Sequence, residues 1–166
     1  MNKILLILAL SMGISFADEF KFDPATDSID DLYKFCIKNH KAGVNFGNDN
    51  SADQELCNKY TVEALTYYKE QCRLGKKDAC VSASNIYYLG FGGIDMNKEI
   101  FFEYSKKACE LGDATSCDAV GDEYKSKFNG ESNKKSKKEY KNQAKNYFKK
   151  ACDLGYKLSC DSLERF

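Results

Sequence analysis

Apolar residues recur along most of this chain at three- and four-residue spacing, the period of an amphipathic helix. Leu32, Phe35, Cys36 and Asn39 mark a first helix over 28–43. Ser28 is its N-cap, and Asp30 and Asp31 lie in the first turn, where carboxylates suit the helix dipole. A polar, Gly-containing loop follows over 45–51. A long helix over 52–74 carries Leu56, Tyr60, Ala64, Tyr67, Tyr68 and Gln71 on one face. Helices are predicted over 79–88, 97–111 and 116–128, the first closed by Gly90-Phe91-Gly92-Gly93. The segment 129–138 reads as a polar, Lys-rich connection. A helix over 141–154 carries Ala144, Tyr147, Phe148 and Ala151, and a short helix over 158–166 ends the chain. No run alternates apolar and polar residues, so no strand is predicted.

Three stretches share one pattern: Cys72-Arg73-Leu74-Gly75 closing at Cys80, Cys109-Glu110-Leu111-Gly112 closing at Cys117, and Cys152-Asp153-Leu154-Gly155 closing at Cys160. Eight residues of continuous helix rise about 12 Å. A disulfide needs its Cα atoms within roughly 7 Å. The paired cysteines therefore cannot sit in one straight helix. Glycine after an amphipathic helix is the usual left-handed stop. The chain then reverses, and the second Cys faces the first across a helical hairpin. Folding 28–43 against 52–74 around residues 46–47 brings Cys36 to Cys57. The expected bridges are Cys36–Cys57, Cys72–Cys80, Cys109–Cys117 and Cys152–Cys160. Metal binding is the rival reading, but zinc sites favour cysteines two to four apart, usually with His. This chain has one His, His40, and no Cys-x-x-Cys. No metal or cofactor is implied.

The cysteines also set the repeat. Cys72 to Cys109 and Cys80 to Cys117 are both 37 residues, and Cys109 to Cys152 is 43, the surplus being the Lys-rich insertion. A two-helix unit at this period predicts an all-α solenoid of three to three and a half repeats, each hairpin stapled by a disulfide.

Met1 to Ala17 reads as a secretory signal, with Lys3, the apolar run 4–10 and small residues before Asp18. The apolar run is too short to span a bilayer. Residues 18–27, with the only Pro, read as a mobile arm, and 28–166 as the repeat domain. A signal with an even number of cysteines points to an oxidising compartment, secreted or periplasmic.

The unit of a small-residue helix, a Gly-rich loop, a Tyr-Tyr or Tyr-Phe pair, then Lys-Ala-Cys and Leu-Gly resembles the Sel1-like repeat, a relative of the tetratricopeptide repeat. Lys107-Ala108-Cys109-Glu110-Leu111-Gly112 and Lys150-Ala151-Cys152-Asp153-Leu154-Gly155 carry the likeness most closely, and Gln71-Cys72-Arg73-Leu74-Gly75 less so. With a Cys pair in each repeat, the chain looks like the secreted cysteine-rich Sel1-like proteins. That resemblance implies either a scaffold binding a protein, peptide or cell-wall glycopeptide, or a hydrolase of the β-lactamase or penicillin-binding kind. It also implies that first helices line the concave face.

The residues themselves offer little for hydrolysis. A serine β-lactamase uses Ser-x-x-Lys, and Ser132-Asn133-Lys134-Lys135 matches in letters. It lies in the Lys-rich connection, without Ser-Asp-Asn or Lys-Thr-Gly partners. A zinc β-lactamase needs several His. His40 reads as a helix-surface residue, with proton transfer the alternative, so no catalytic residue is assigned.

Net charge is zero, but its distribution is uneven. From Lys125 to Lys150 there are ten Lys and two Glu, a local +8; from Asp18 to Glu63 there are ten acids and five Lys, a local −5. Lys141, Lys145 and Lys149 form a stripe on one helix, either a solvated face or a docking site for an anionic partner. Nucleic acid is excluded by the secretory signal and the lack of Arg interleaved with aromatics. Tyr67, Tyr68, Phe101, Phe102, Tyr104, Tyr147 and Phe148 are assigned mainly to the core. The expected species is a monomer with no membrane span after signal cleavage.

Overall fold

The computed structural model describes residues 21–38 and 52–165. The signal segment, residues 18–20, His40 and the loop 45–51 lie outside them. Among the described residues the regular structure is helical, with no strand: α1 Ile29–Lys38, α2 Ala52–Arg73, α3 Lys77–Leu89, α4 Lys98–Glu110, α5 Ala114–Gly130, α6 Lys134–Asp153 and α7 Lys157–Arg165. Each helix packs on its neighbours in the chain, and the junctions α3–α4 and α5–α6 are more extensive than those within hairpins. This is the arrangement of an all-α solenoid, in which a unit buries its apolar face against the next unit.

Four disulfides staple consecutive helices: Cys36–Cys57 joins α1 to α2, Cys72–Cys80 joins α2 to α3, Cys109–Cys117 joins α4 to α5 and Cys152–Cys160 joins α6 to α7. Their Cα separations are 5.3, 4.7, 4.6 and 4.8 Å. No described cysteine is free. Bridges of this kind point to an oxidising, non-cytoplasmic compartment. No helix of the described residues is long and apolar enough to cross a membrane.

The turn that permits the staple is the same three times. At α4–α5, Gly112 stands at φ 90°, its N–H bonds Cys109 O at 3.0 Å, and the Asp113 N–H bonds Ala108 O at 2.9 Å. These are the two hydrogen bonds of a Schellman stop. Gly75 and Gly155 repeat it at φ 81° and 94°. Asp113 then caps α5, its carboxylate accepting from the Ser116 N–H at 2.7 Å. One residue ends one helix and starts the next, so the two cysteines meet.

Two expectations are corrected. The segment over 18–27 is not a loose arm where it is described. Phe22 is buried with its ring 6.2 Å from that of Tyr60, and the Asp27 N–H closes a turn onto Asp23 O at 2.8 Å. The one apolar side chain between the acids and Pro24 has core to cover. The segment 129–138 is not a connection either. Only Glu131, Ser132 and Asn133 separate α5 from α6. Asn133 caps α6, accepting from the Lys135 and Ser136 N–H groups at 2.9 and 3.2 Å. Lysine is a good helix former, so the insertion lengthens both helices instead of making a loop.

The Gly-rich loop after α3 ties the first hairpin down. A Cβ on Gly92 would stand 1.9 Å from Thr61 Oγ1, and the Phe91 ring meets Tyr33 edge-on at 5.2 Å. Thr61 itself is buried and donates to Cys57 O at 2.8 Å.

Candidate functional site

The 37- and 43-residue offsets place Tyr68, Ser105 and Phe148 at one position of three successive repeats. Tyr68 and Phe148 are buried aromatics. On the facing helix the same offset matches Ser84 in α3 with Gly121 in α5. At the α5–α6 junction the ring of Phe148 lies directly on Gly121, where a Cβ would come within 2.7 Å of it. At the α3–α4 junction the large and small partners are both serines. Neither reaches far, and a groove of about 560 Å³ opens between α3, α4 and α5.

Ser84 and Ser105 line this groove with Tyr88, Phe101, Ala119 and Asp122. Ser84 Oγ is satisfied, donating to Val81 O at 2.8 Å. Ser105 is 1% exposed, and among the described residues its Oγ is the buried side-chain oxygen with no hydrogen-bond partner. A helical serine usually returns its hydroxyl to a carbonyl of the preceding turn. A buried hydroxyl left without a partner costs about 1–3 kcal/mol. The rim is apolar and open: Tyr88 is 59% exposed and Met96 62%. The Tyr88 and Phe101 rings meet at 5.1 Å.

Charge is distributed asymmetrically around the opening. Lys98 stands on the α4 side, Asp122 and Glu123 on α5. Glu123 pairs with Lys127 at 3.7 Å. Partial burial raises the Asp122 carboxyl above the ordinary carboxylate range, the neighbouring Asp118 raises it further, and Lys125 opposes them. Asp118 in turn accepts a hydrogen bond from Ser159 of α7. The α5 wall thus carries three neighbouring carboxylates, Asp118, Asp122 and Glu123, with Lys125 acting on Asp122 from the same helix.

A second repeated feature lies on the aromatic seam. Tyr87 stacks on Tyr104 at 6.2 Å and 10°, and their repeat equivalents Tyr124 and Tyr147 stack at 5.6 Å and 14°. Lys69 lies over Tyr87, and Lys127 over both Phe102 and Tyr124. These rings are glue between repeats, and Tyr87, Phe102 and Tyr124 are each capped by an ammonium. Of the aromatics assigned to the core, Tyr68 and Phe148 are fully inside, while Tyr67, Phe101, Phe102, Tyr104 and Tyr147 are half-buried.

The residues singled out from sequence do not converge. Ser132 is exposed before the cap of α6, and Lys135 is exposed in its first turn. No rigid element holds the serine against a base. In the Lys stripe, Lys149 is paired with Asp153 at 2.6 Å and Lys141 lies over the Phe128 ring at 5.7 Å, so two of its three charges are already engaged. No described cluster of His, Cys, Asp or Glu could hold a metal. The groove over Ser105 was missed from sequence, although the triplet Tyr68, Ser105, Phe148 carries the signal once the repeats are aligned.

No protein-family model matches this chain, and no curated protein matches it.

Proposed function

We propose that this protein is a disulfide-rich scaffold of the Sel1-like, tetratricopeptide-like kind, secreted or periplasmic, that binds a protein or peptide in the groove between α3, α4 and α5. The observation that carries this reading is the position of Ser105. Where the α5–α6 junction seats Phe148 on Gly121, the α3–α4 junction has Ser105 and Ser84, and a groove is left there with an unsatisfied hydroxyl in its lining and exposed Tyr88 and Met96 at its mouth. Such a site has the size and the mixed lining of a binding pocket. The Ser84 hydroxyl is spent on Val81 O and the Ser105 hydroxyl has no base on it, which favours binding over hydrolysis.

The test is site-specific photocrosslinking on oxidised full-length protein in the native envelope. A photoreactive residue at Met96, on the rim, is expected to capture a discrete set of polypeptides. The same residue at Val62, exposed on α2 and away from the groove, is expected to miss them. Capture at Met96 should also vanish when Ser105→Phe fills the groove. Equal capture at both positions, or capture insensitive to Ser105→Phe in a protein that keeps its four disulfides, would refute the assignment.

A further inference from the structure

We infer that the occupant of the groove is a tyrosine side chain of a protein segment, with an adjacent Lys or Arg paired to Asp122. This rests on the groove being a peptide site. Three observations select the residue. Ser105 stands where Phe148 and Tyr68 stand in neighbouring repeats, and the groove of about 560 Å³ beside it has room for an aromatic ring. The walls are those that hold a ring elsewhere in the same array, where Phe148 lies against the α5 residue equivalent to Ser84. The floor carries the Ser105 Oγ with donor and acceptor both unused. The hydroxyl is already buried, so a phenylalanine ring leaves it unmatched, whereas a phenol brings a group able to satisfy it. The gain of that one hydrogen bond distinguishes two ligands of equal shape.

The second residue follows from charge. Asp118 and Asp122 are one helical turn apart on α5, Glu123 adjoins them, and the Asp118 carboxylate is already engaged by Ser159. Lys125 of the same helix acts on Asp122, and Lys98 also lines the groove. A Lys or Arg beside the docked tyrosine completes this wall. An acidic neighbour would meet like charge and be rejected.

The experiment uses N-acetylated peptide amides with the central pairs Tyr-Lys, Phe-Lys, Tyr-Glu and Leu-Lys, titrated into the oxidised full chain and followed by amide NMR. The Tyr-Lys peptide should shift Ser105, Ala119 and Asp122, and bind about fivefold more tightly than Phe-Lys, the worth of one hydrogen bond. Ser105→Ala, which keeps the Cβ and the helix, should erase the Tyr-over-Phe preference. Asp122→Asn should erase the Lys-over-Glu preference, which in the native protein should also shrink with added salt. Equal binding of Tyr-Lys and Phe-Lys, or a preference that survives Ser105→Ala, would overturn the inference. So would the absence of groove shifts with every peptide. Met96 crosslinking separates this failure from that of the broader reading: groove-dependent capture together with no Tyr-Lys preference sinks only the identity of the ligand.

Discussion

The ring of Phe148 rests on Gly121, with no room between them for a methyl group. An added Cβ at Gly121 would stand 2.7 Å from two ring carbons, in a site where Phe148 is fully buried. This contact joins α5 to α6 and carries the basic third hairpin on the rest of the array. Gly121→Ala gains helix propensity, but overpacking a full core costs roughly 1–3 kcal/mol, so a net loss is expected. Ser84→Ala, at the equivalent place on the groove, should change stability by less than about 1 kcal/mol, because nothing large faces it. Thermal melts of the two oxidised variants compare them directly. A Gly121→Ala melt at or above the parent's would show that the ring can move aside.

The staples should contribute according to the loops they close. Cys72–Cys80, Cys109–Cys117 and Cys152–Cys160 each close a separation of 8, and Cys36–Cys57 one of 21. In the chain-entropy account the short loops are worth about 2.5 kcal/mol each and the long one about 3.5. Replacing both Cys36 and Cys57 by Ala should therefore destabilise more than replacing Cys109 and Cys117, in denaturant titrations under oxidising conditions. Adding reductant to the parent should lower its transition sharply. A reduced protein that melts at the same temperature as the oxidised one would contradict this.

Asp113 links stability to acid. Burial pushes its carboxyl up, but hydrogen bonds from Ser116 and Thr115 and the attraction of Lys77 outweigh that, so its pKa lies below the ordinary carboxylate range. A depressed folded pKa gives stability that is present above the unfolded value, about 3.9, and lost as pH falls through the folded one. Asp113→Ala should cost about 1 kcal/mol at neutral pH through loss of the cap. Asp113→Asn keeps a cap and should flatten the decline below pH ~4. A parent and Asp113→Asn with parallel acid unfolding curves would remove Asp113 from that transition.

Ser132→Ala should have no effect on hydrolysis of a chromogenic β-lactam by purified oxidised protein. The Ser132 side chain is exposed ahead of α6 and no base is positioned on it. Turnover in the parent that disappears in Ser132→Ala, with all four bridges formed, would favour a hydrolase over a scaffold.

Local rules were enough for the helices and the staples. A Cys, a Leu-Gly stop and a second Cys eight residues on admit one arrangement of two helices, and the Gly112 turn is decided by backbone sterics within six residues. The repeat period follows from matching those turns. Composition misled where it stood in for propensity: the Lys-rich stretch after Gly130 reads as polar loop, yet Asn133 caps a helix there. It misled again at Phe22, a lone apolar residue whose burial depends on a helix thirty-eight positions away, at Tyr60. The groove belongs to the tertiary structure in a stricter sense. Ser84 and Ser105 are unremarkable in their own helices; aligning the repeats sets Ser105 beside Tyr68 and Phe148, but the opening exists only when α3 and α4 are packed and both serines line it. Whether a junction is full or empty is a sum of volumes contributed by separate helices, which no periodicity along one helix encodes. The chain alone thus determined the hairpins and their bridges, while packing between hairpins decided where the array keeps an opening.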